Sequence, residues 1–271
     1  MVSVPAEIYK LSDIPTLWNR QTEQPTTPHP SSRTIHSFKM QPILASALLA
    51  LPLLSAATPL NDPRADCHDY ILINTRGTGE PQGESIGFRG MIAEILSSVP
   101  GGVSYNTRYL AAPDATQYST LIGSQDIIEL IEEGAKNCPA QEYALLGYSQ
   151  GATVTNQVLQ HFAPTSPEGL KIKSAVLIGN PYHLSNKEGN KDEDCGSSTA
   201  GARGILIGTQ PYEIPDAWYA TGKVRDICFT DDQVCNGASV GNLFSSAHLS
   251  YGFEESVQTC GASFIIEQRS G

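Results

Sequence analysis

The chain has little positive charge and no long apolar run. Its 271 residues carry 17 Lys plus Arg against 28 Asp plus Glu, a net charge of −11, and the part after Ala57 alone, with 13 against 25, carries −12. Such a surface repels phosphate backbones, so nucleic acid is not an expected partner. A membrane span needs ~20 apolar residues, and the longest apolar stretch, Ile43 to Ala57, is shorter and interrupted by Pro52. With no apolar C-terminal tail either, no membrane anchor is expected. Cys-x-x-Cys and His-Glu-x-x-His spacings are missing, which argues against a metal site. No Asn-x-Ser/Thr sequon occurs, so nothing points to N-glycans. The dinucleotide fingerprint fails as well. The β-prone run Tyr70 to Ile73 leads into Thr75-Arg76-Gly77-Thr78-Gly79-Glu80-Pro81, but the third glycine, Gly83, falls one place late and Pro81 intervenes. No cofactor is expected.

What is present divides the chain. Residues 1–39 are rich in Pro, Thr and Ser and lack apolar periodicity, so they are expected to be disordered, or to be a gene-model start set too far upstream of Met40. Residues 40–57 have the shape of a secretory signal: Lys39 before an apolar core that ends in Ser55-Ala56-Ala57. After a short extension, residues 58–65, one domain is expected over 66–271. All six cysteines (Cys67, Cys138, Cys195, Cys228, Cys235 and Cys260) follow the signal, which fits a secreted, extracellular protein with three disulfides.

Within that domain, β-prone runs at Tyr70 to Ile73, Val103 to Leu110, Tyr143 to Leu146, Ala175 to Ile178 and Val224 to Cys228 alternate with helical spacing at Phe88 to Leu96, Leu121 to Ala135 and Ala152 to Leu159. That alternation means βαβ units, and hence a parallel sheet covered on both faces. Phe253, Val257, Cys260, Phe264 and Ile265 are spaced to share one face of a C-terminal helix. Residues 180–223 read as a surface insertion whose Pro215, Trp218 and Tyr219 either wall a substrate site or pack the insertion onto the core.

The chemical signal is Gly147-Tyr148-Ser149-Gln150-Gly151. The pattern is short enough to arise by chance, but here an apolar strand enters it and a helix leaves it, which makes it a nucleophile elbow. A serine hydroxyl needs a base, and the base needs a carboxylate to fix its tautomer. In sheets of this kind the order is Ser, Asp or Glu, His, so the base lies downstream. His161 is about 18 Å away along the helix, at 1.5 Å per residue. His183 has only Glu168 between itself and the serine. His248 follows Cys228-Phe229-Thr230-Asp231-Asp232-Gln233-Val234-Cys235, where a disulfide from Cys228 to Cys235 would fix an aspartate, although the same segment also reads as a structural clip with two surface aspartates.

Together, the elbow, the Cys228 to Cys235 loop with Asp232, and Ala247-His248-Leu249-Ser250-Tyr251-Gly252 resemble the fungal cutinase family of secreted serine esterases, which includes acetylxylan esterases. The resemblance covers roughly Cys67 to Gln268. It implies a small α/β-hydrolase with a central five-stranded parallel sheet flanked by helices and no large lid. It further implies Ser149 as nucleophile, Asp232 as orienting carboxylate, His248 as base, and Thr78 with the Gln150 N–H as oxyanion hole. Cys67 and Cys138 match the family's long-range disulfide; Cys195 and Cys260, which have no counterpart in the two-disulfide cutinases, either pair by elimination or leave Cys260 as a buried free thiol on its helix face. The expected activity is a monomeric, cutinase-like ester hydrolase acting on short-to-medium acyl esters or a plant polyester, with acetyl groups on polysaccharide as the alternative substrate and a non-catalytic binding protein as the reading from another class. Leu243, Phe244 and Leu249 either line an apolar acyl rim or, for Leu243 and Phe244, face inward to anchor their loop.

Overall fold

The computed structural model describes Arg64 and residues 66–238 and 245–270. The expectations for residues 1–63, including the signal, and those for Leu243 and Phe244 lie outside the described residues. The elements run β1 (Tyr70–Thr75), α1 (Arg89–Ser98), β2 (Gly102–Asn106), α2 (Thr120–Asn137), β3 (Glu142–Tyr148), α3 (Gln150–His161), β4 (Ile172–Ile178), β5 (Asn190–Lys191), α4 (Asp216–Tyr219), β6 (Val224–Ile227), α5 (Ser246–Ser250) and α6 (Glu255–Ser270).

The strands form one parallel sheet in the order β2-β1-β3-β4-β6-β5. Successive strand side chains point to opposite faces. Ile71, Ile73, Tyr143, Leu145, Ala175 and Leu177 therefore pack on the α2 and α3 side, while Tyr70, Leu72, Ala144, Leu146, Val176 and Ile178 pack on the α1 and α6 side. With both faces covered, the strands read as continuous apolar runs. The sheet has six described strands where the sequence suggests five. The extra one, β5, is the polar pair Asn190-Lys191, which adds to β6 from within the insertion and carries no hydrophobic alternation to announce it.

The insertion is packed onto the body of the domain. Trp218 and Tyr219 belong to the buried cluster that includes α2 and α3. The Trp218 indole donates to the carbonyls of Leu159 (2.6 Å) and Phe162 (2.9 Å), satisfying acceptors that the end of α3 leaves free. Of the two readings for these aromatics, packing holds, and Pro215 merely opens α4. Phe253 departs from expectation: it precedes α6 and is exposed, while Val257, Cys260, Phe264 and Ile265 are buried on the helix face. Three disulfides, Cys67–Cys138, Cys195–Cys260 and Cys228–Cys235, use all six cysteines.

Candidate active site

In an open parallel sheet, ligands bind beyond the carboxyl ends of the strands, where the strand order reverses. Here the reversal falls between β1 and β3. The loop after β1 carries Thr78, and the residue after β3 is Ser149.

Ser149 has φ +53° and ψ −117°, a conformation that L-residues rarely adopt and that neighbouring contacts must enforce. Its N–H donates to the Ile178 carbonyl (3.0 Å), and its own carbonyl accepts from the Ala152 N–H (2.9 Å). The helix can start this close to the sheet because residue 151 is glycine: a Cβ there would stand 2.2 Å from the Thr75 carbonyl oxygen.

The structure brings Ser149, His248 and Asp232 together. The Ser149 Oγ lies 2.9 Å from His248 Nε2, and His248 Nδ1 lies 2.8 and 3.0 Å from the two Asp232 oxygens. Asp232 is fully buried and His248 nearly so. The Val234 N–H (2.9 Å) and the Tyr251 hydroxyl (2.7 Å) also donate to the Asp232 carboxylate. With the carboxylate an acceptor on every side, the Nδ1 proton points to Asp232 and Nε2 is free to accept from the serine. The other downstream histidines are elsewhere. His161, at the end of α3, lies near Glu132 on the surface. His183 is fully buried, with Nδ1 3.0 Å from Asp226 Oδ1.

Ser149, His248, Thr78 and Gln150 line a single cavity of about 290 Å³. Its apolar walls are Pro113 and Ala115 from the loop between β2 and α2, Pro181, Ile205 and Leu206 from the insertion, and Val234 from the Asp232 loop. None of these six was singled out from sequence, because apolar residues inside irregular loops carry no period that would give them a facing direction. Leu249, next to His248, is about half exposed, and it is not among the cavity's lining residues. At the rim, the Thr116 hydroxyl and the backbone N–H groups of Ser119 and Thr116 hold the Asp114 carboxyl down to about 2. Among the described residues, no group of three or more His, Cys, Asp or Glu side chains is placed to hold a metal ion.

A doubly covered parallel sheet, a strained serine between strand and helix, and a histidine with a buried carboxylate behind it define the α/β-hydrolase class. The cutinase family model matches residues 66–269, and the chain belongs to that family. A cutinase from Blumeria hordei is 26% identical over 228 residues, covering 79% of this chain and 78% of its own. A cutinase-like protein from Cryptococcus sp. superposes with a TM-score of 0.70 at 38% identity, covering 76% of this chain and 97% of its own. The catalytic core domain of an acetyl xylan esterase from Trichoderma reesei shares the fold, with a TM-score of 0.57 at 22% identity over 75% of this chain and 100% of its own. The chain is thus a cutinase-like serine ester hydrolase, and its substrates are esters or acylated compounds.

Proposed function

We propose that Ser149 is the nucleophile of this esterase, with His248 as its base and Asp232 as the group that orients the base. The observation that carries the reading is the unbroken chain of short contacts from Ser149 Oγ through His248 to buried Asp232 at the wall of the cavity. His248 takes the serine proton as Oγ attacks the ester carbonyl, returns it to the departing alcohol, and then activates the water that releases the acid. Thr78 and the Gln150 N–H stabilise the tetrahedral oxyanion, where one lost donor typically costs about 3 kcal/mol of transition-state stabilisation.

The apolar walls favour an aliphatic acyl chain over acetyl. Butyrate offers two more methylenes than acetate, worth up to ~1.6 kcal/mol if both are buried. The expected outcome is a kcat/KM on p-nitrophenyl butyrate up to about fifteenfold above that on the acetate. Activity confined to acetate and acetylated xylan would instead select the deacetylase reading. Ser149→Ala is expected to reduce hydrolysis below about a thousandth of wild type without unfolding the protein, and an organophosphonate should label Ser149 alone. A variant that stays above that level, or label recovered elsewhere, removes Ser149 from the role.

The domain of residues 66–271 acts outside the cell, released from a signal at residues 40–57. Three disulfides support this, since such bonds persist in oxidising compartments. The described residues include no helix long and apolar enough to cross a membrane. Protein recovered from culture medium should start just after Ala57. A mature chain still carrying residues 1–39 would refute the signal.

A further inference from the structure

His248 sits on α5, a helix of five residues. A helix this short has no stability of its own, so contacts with the rest of the fold must set its position. Two buried tyrosines make those contacts. Tyr148, the residue before the nucleophile, donates its hydroxyl to the main-chain carbonyl of His248 at 2.7 Å. Tyr251, three residues after the base, donates to Asp232 Oδ2 at 2.7 Å. The direction of the second bond is fixed because a carboxylate has no proton to give, while the Tyr251 oxygen in turn accepts the Phe229 N–H (3.1 Å).

The phenols are themselves held. The Phe229 ring packs against Tyr251 with centroids 4.2 Å apart, and the two tyrosine rings are 6.0 Å apart. Buried Gln258 on α6 donates to the Tyr251 carbonyl and to the Gly87 carbonyl (2.8 Å each) and accepts the Met91 N–H (2.7 Å), tying the base segment to α1 and α6. Burial, and after it the Asp232 charge, pushes the Tyr251 phenol well above its ordinary range. Burial, followed by Glu80 and Asp232, raises Tyr148 too. Both hydroxyls are therefore protonated donors at neutral pH.

Building on the triad reading above, we propose that Tyr148 and Tyr251 are positioning residues that clamp the base: Tyr148 registers the His248 main chain against the elbow, and Tyr251 holds the Asp232 carboxylate in line with the imidazole. The two bonds act differently. Losing the Tyr251 hydroxyl leaves the carboxylate with one donor fewer and more charge to share with the imidazolium, so His248 keeps its proton to higher pH. Losing the Tyr148 hydroxyl loosens the base without altering the charge around it.

The test uses Tyr251→Phe and Tyr148→Phe, which keep both rings, with Tyr70→Phe as control. Tyr70 is buried and its hydroxyl donates to the Val99 carbonyl at 2.7 Å, on residues outside the cavity lining. Tyr251→Phe should lose about tenfold in kcat with KM unchanged, the factor to which the low end of a charge-assisted bond converts, and Tyr148→Phe about fivefold with KM unchanged, the factor for an ordinary neutral hydrogen bond. Only Tyr251→Phe should also move the acidic limb of the kcat/KM profile to higher pH. Tyr70→Phe should lower the melting temperature and leave kcat and the profile alone. If Tyr251→Phe keeps the wild-type limb and kcat, or if Tyr70→Phe loses as much activity as the clamp variants, the proposal falls. Should Tyr251→Phe not fold, the fall in kcat at constant KM in Tyr148→Phe decides. Phosphonate labelling of Ser149 in the same preparations separates failure of the clamp from failure of the triad: label on Ser149 with unchanged variants refutes the clamp alone.

Discussion

At φ +58°, Gly179 lies directly against the imidazole. A Cβ there would stand 2.9 Å from His248 Cε1, 3.0 Å from Nδ1 and 3.1 Å from Asp232 Oδ2. None of these is the loose end of a flexible side chain. Alanine must therefore either displace the base or pull back the end of β4, and a 1 Å misplacement at a reacting group can cost about a hundredfold in rate. The left-handed conformation adds only ~1–2 kcal/mol for a residue with a Cβ. Gly179→Ala is thus expected to lose far more kcat than stability. A p-nitrophenyl butyrate assay beside a thermal melt checks this, and activity that falls only as the folded fraction falls would show that the imidazole has room to spare.

Among the elements, those that were legible in the sequence are the ones whose burial imposes a period. β1, β3 and β4 are covered on both faces and read as apolar runs, and α2 and the later turns of α6 carry apolar residues three and four apart. The elbow was legible because tight geometry demands specific residues at specific places. β5, α4 and the cavity walls were not, since two polar residues or a proline in a loop signal no face. Phe253 fits the helical spacing yet lies outside α6, because periodicity gives a face but not a boundary. The disulfides differ in what they hold. In the chain-entropy picture, Cys67–Cys138, at a separation of 71 residues, contributes ~4 kcal/mol, and Cys228–Cys235, at a separation of 7, contributes ~2.5 kcal/mol. The short one closes the loop that presents Asp232, so its main effect is on site geometry. The third, Cys195–Cys260, fastens the insertion to α6, and Glu193 on the same stretch accepts from the Thr230 N–H at 3.0 Å, beside the Asp232 loop.

At the scale of the whole molecule, the buried pair of His183 and Asp226 gives stability a pH dependence separate from that of catalysis. Both side chains are fully buried, with His183 Nδ1 3.0 Å from Asp226 Oδ1, and Asn180 Nδ2 donates to the other carboxylate oxygen at 2.8 Å. Burial alone lowers the imidazole's proton affinity, but the Asp226 carboxylate, the backbone of Thr199 and the Asp232 charge more than offset it, and the net shift is upward from 6.5. A group whose pKa is raised on folding stabilises the fold fully below its unfolded value, and that contribution is lost as pH rises through the folded value. Each unit of difference is worth ~1.4 kcal/mol. Removing one partner would strand a buried charge, so the informative comparison is wild type against the double variant His183→Asn with Asp226→Asn, which carries neither. The wild-type melting temperature is expected to fall relative to that of the double variant as pH is raised above 6.5. If the two melting curves shift in parallel across that range, His183 is neutral in the folded protein and the contact with Asp226 gives stability no pH dependence.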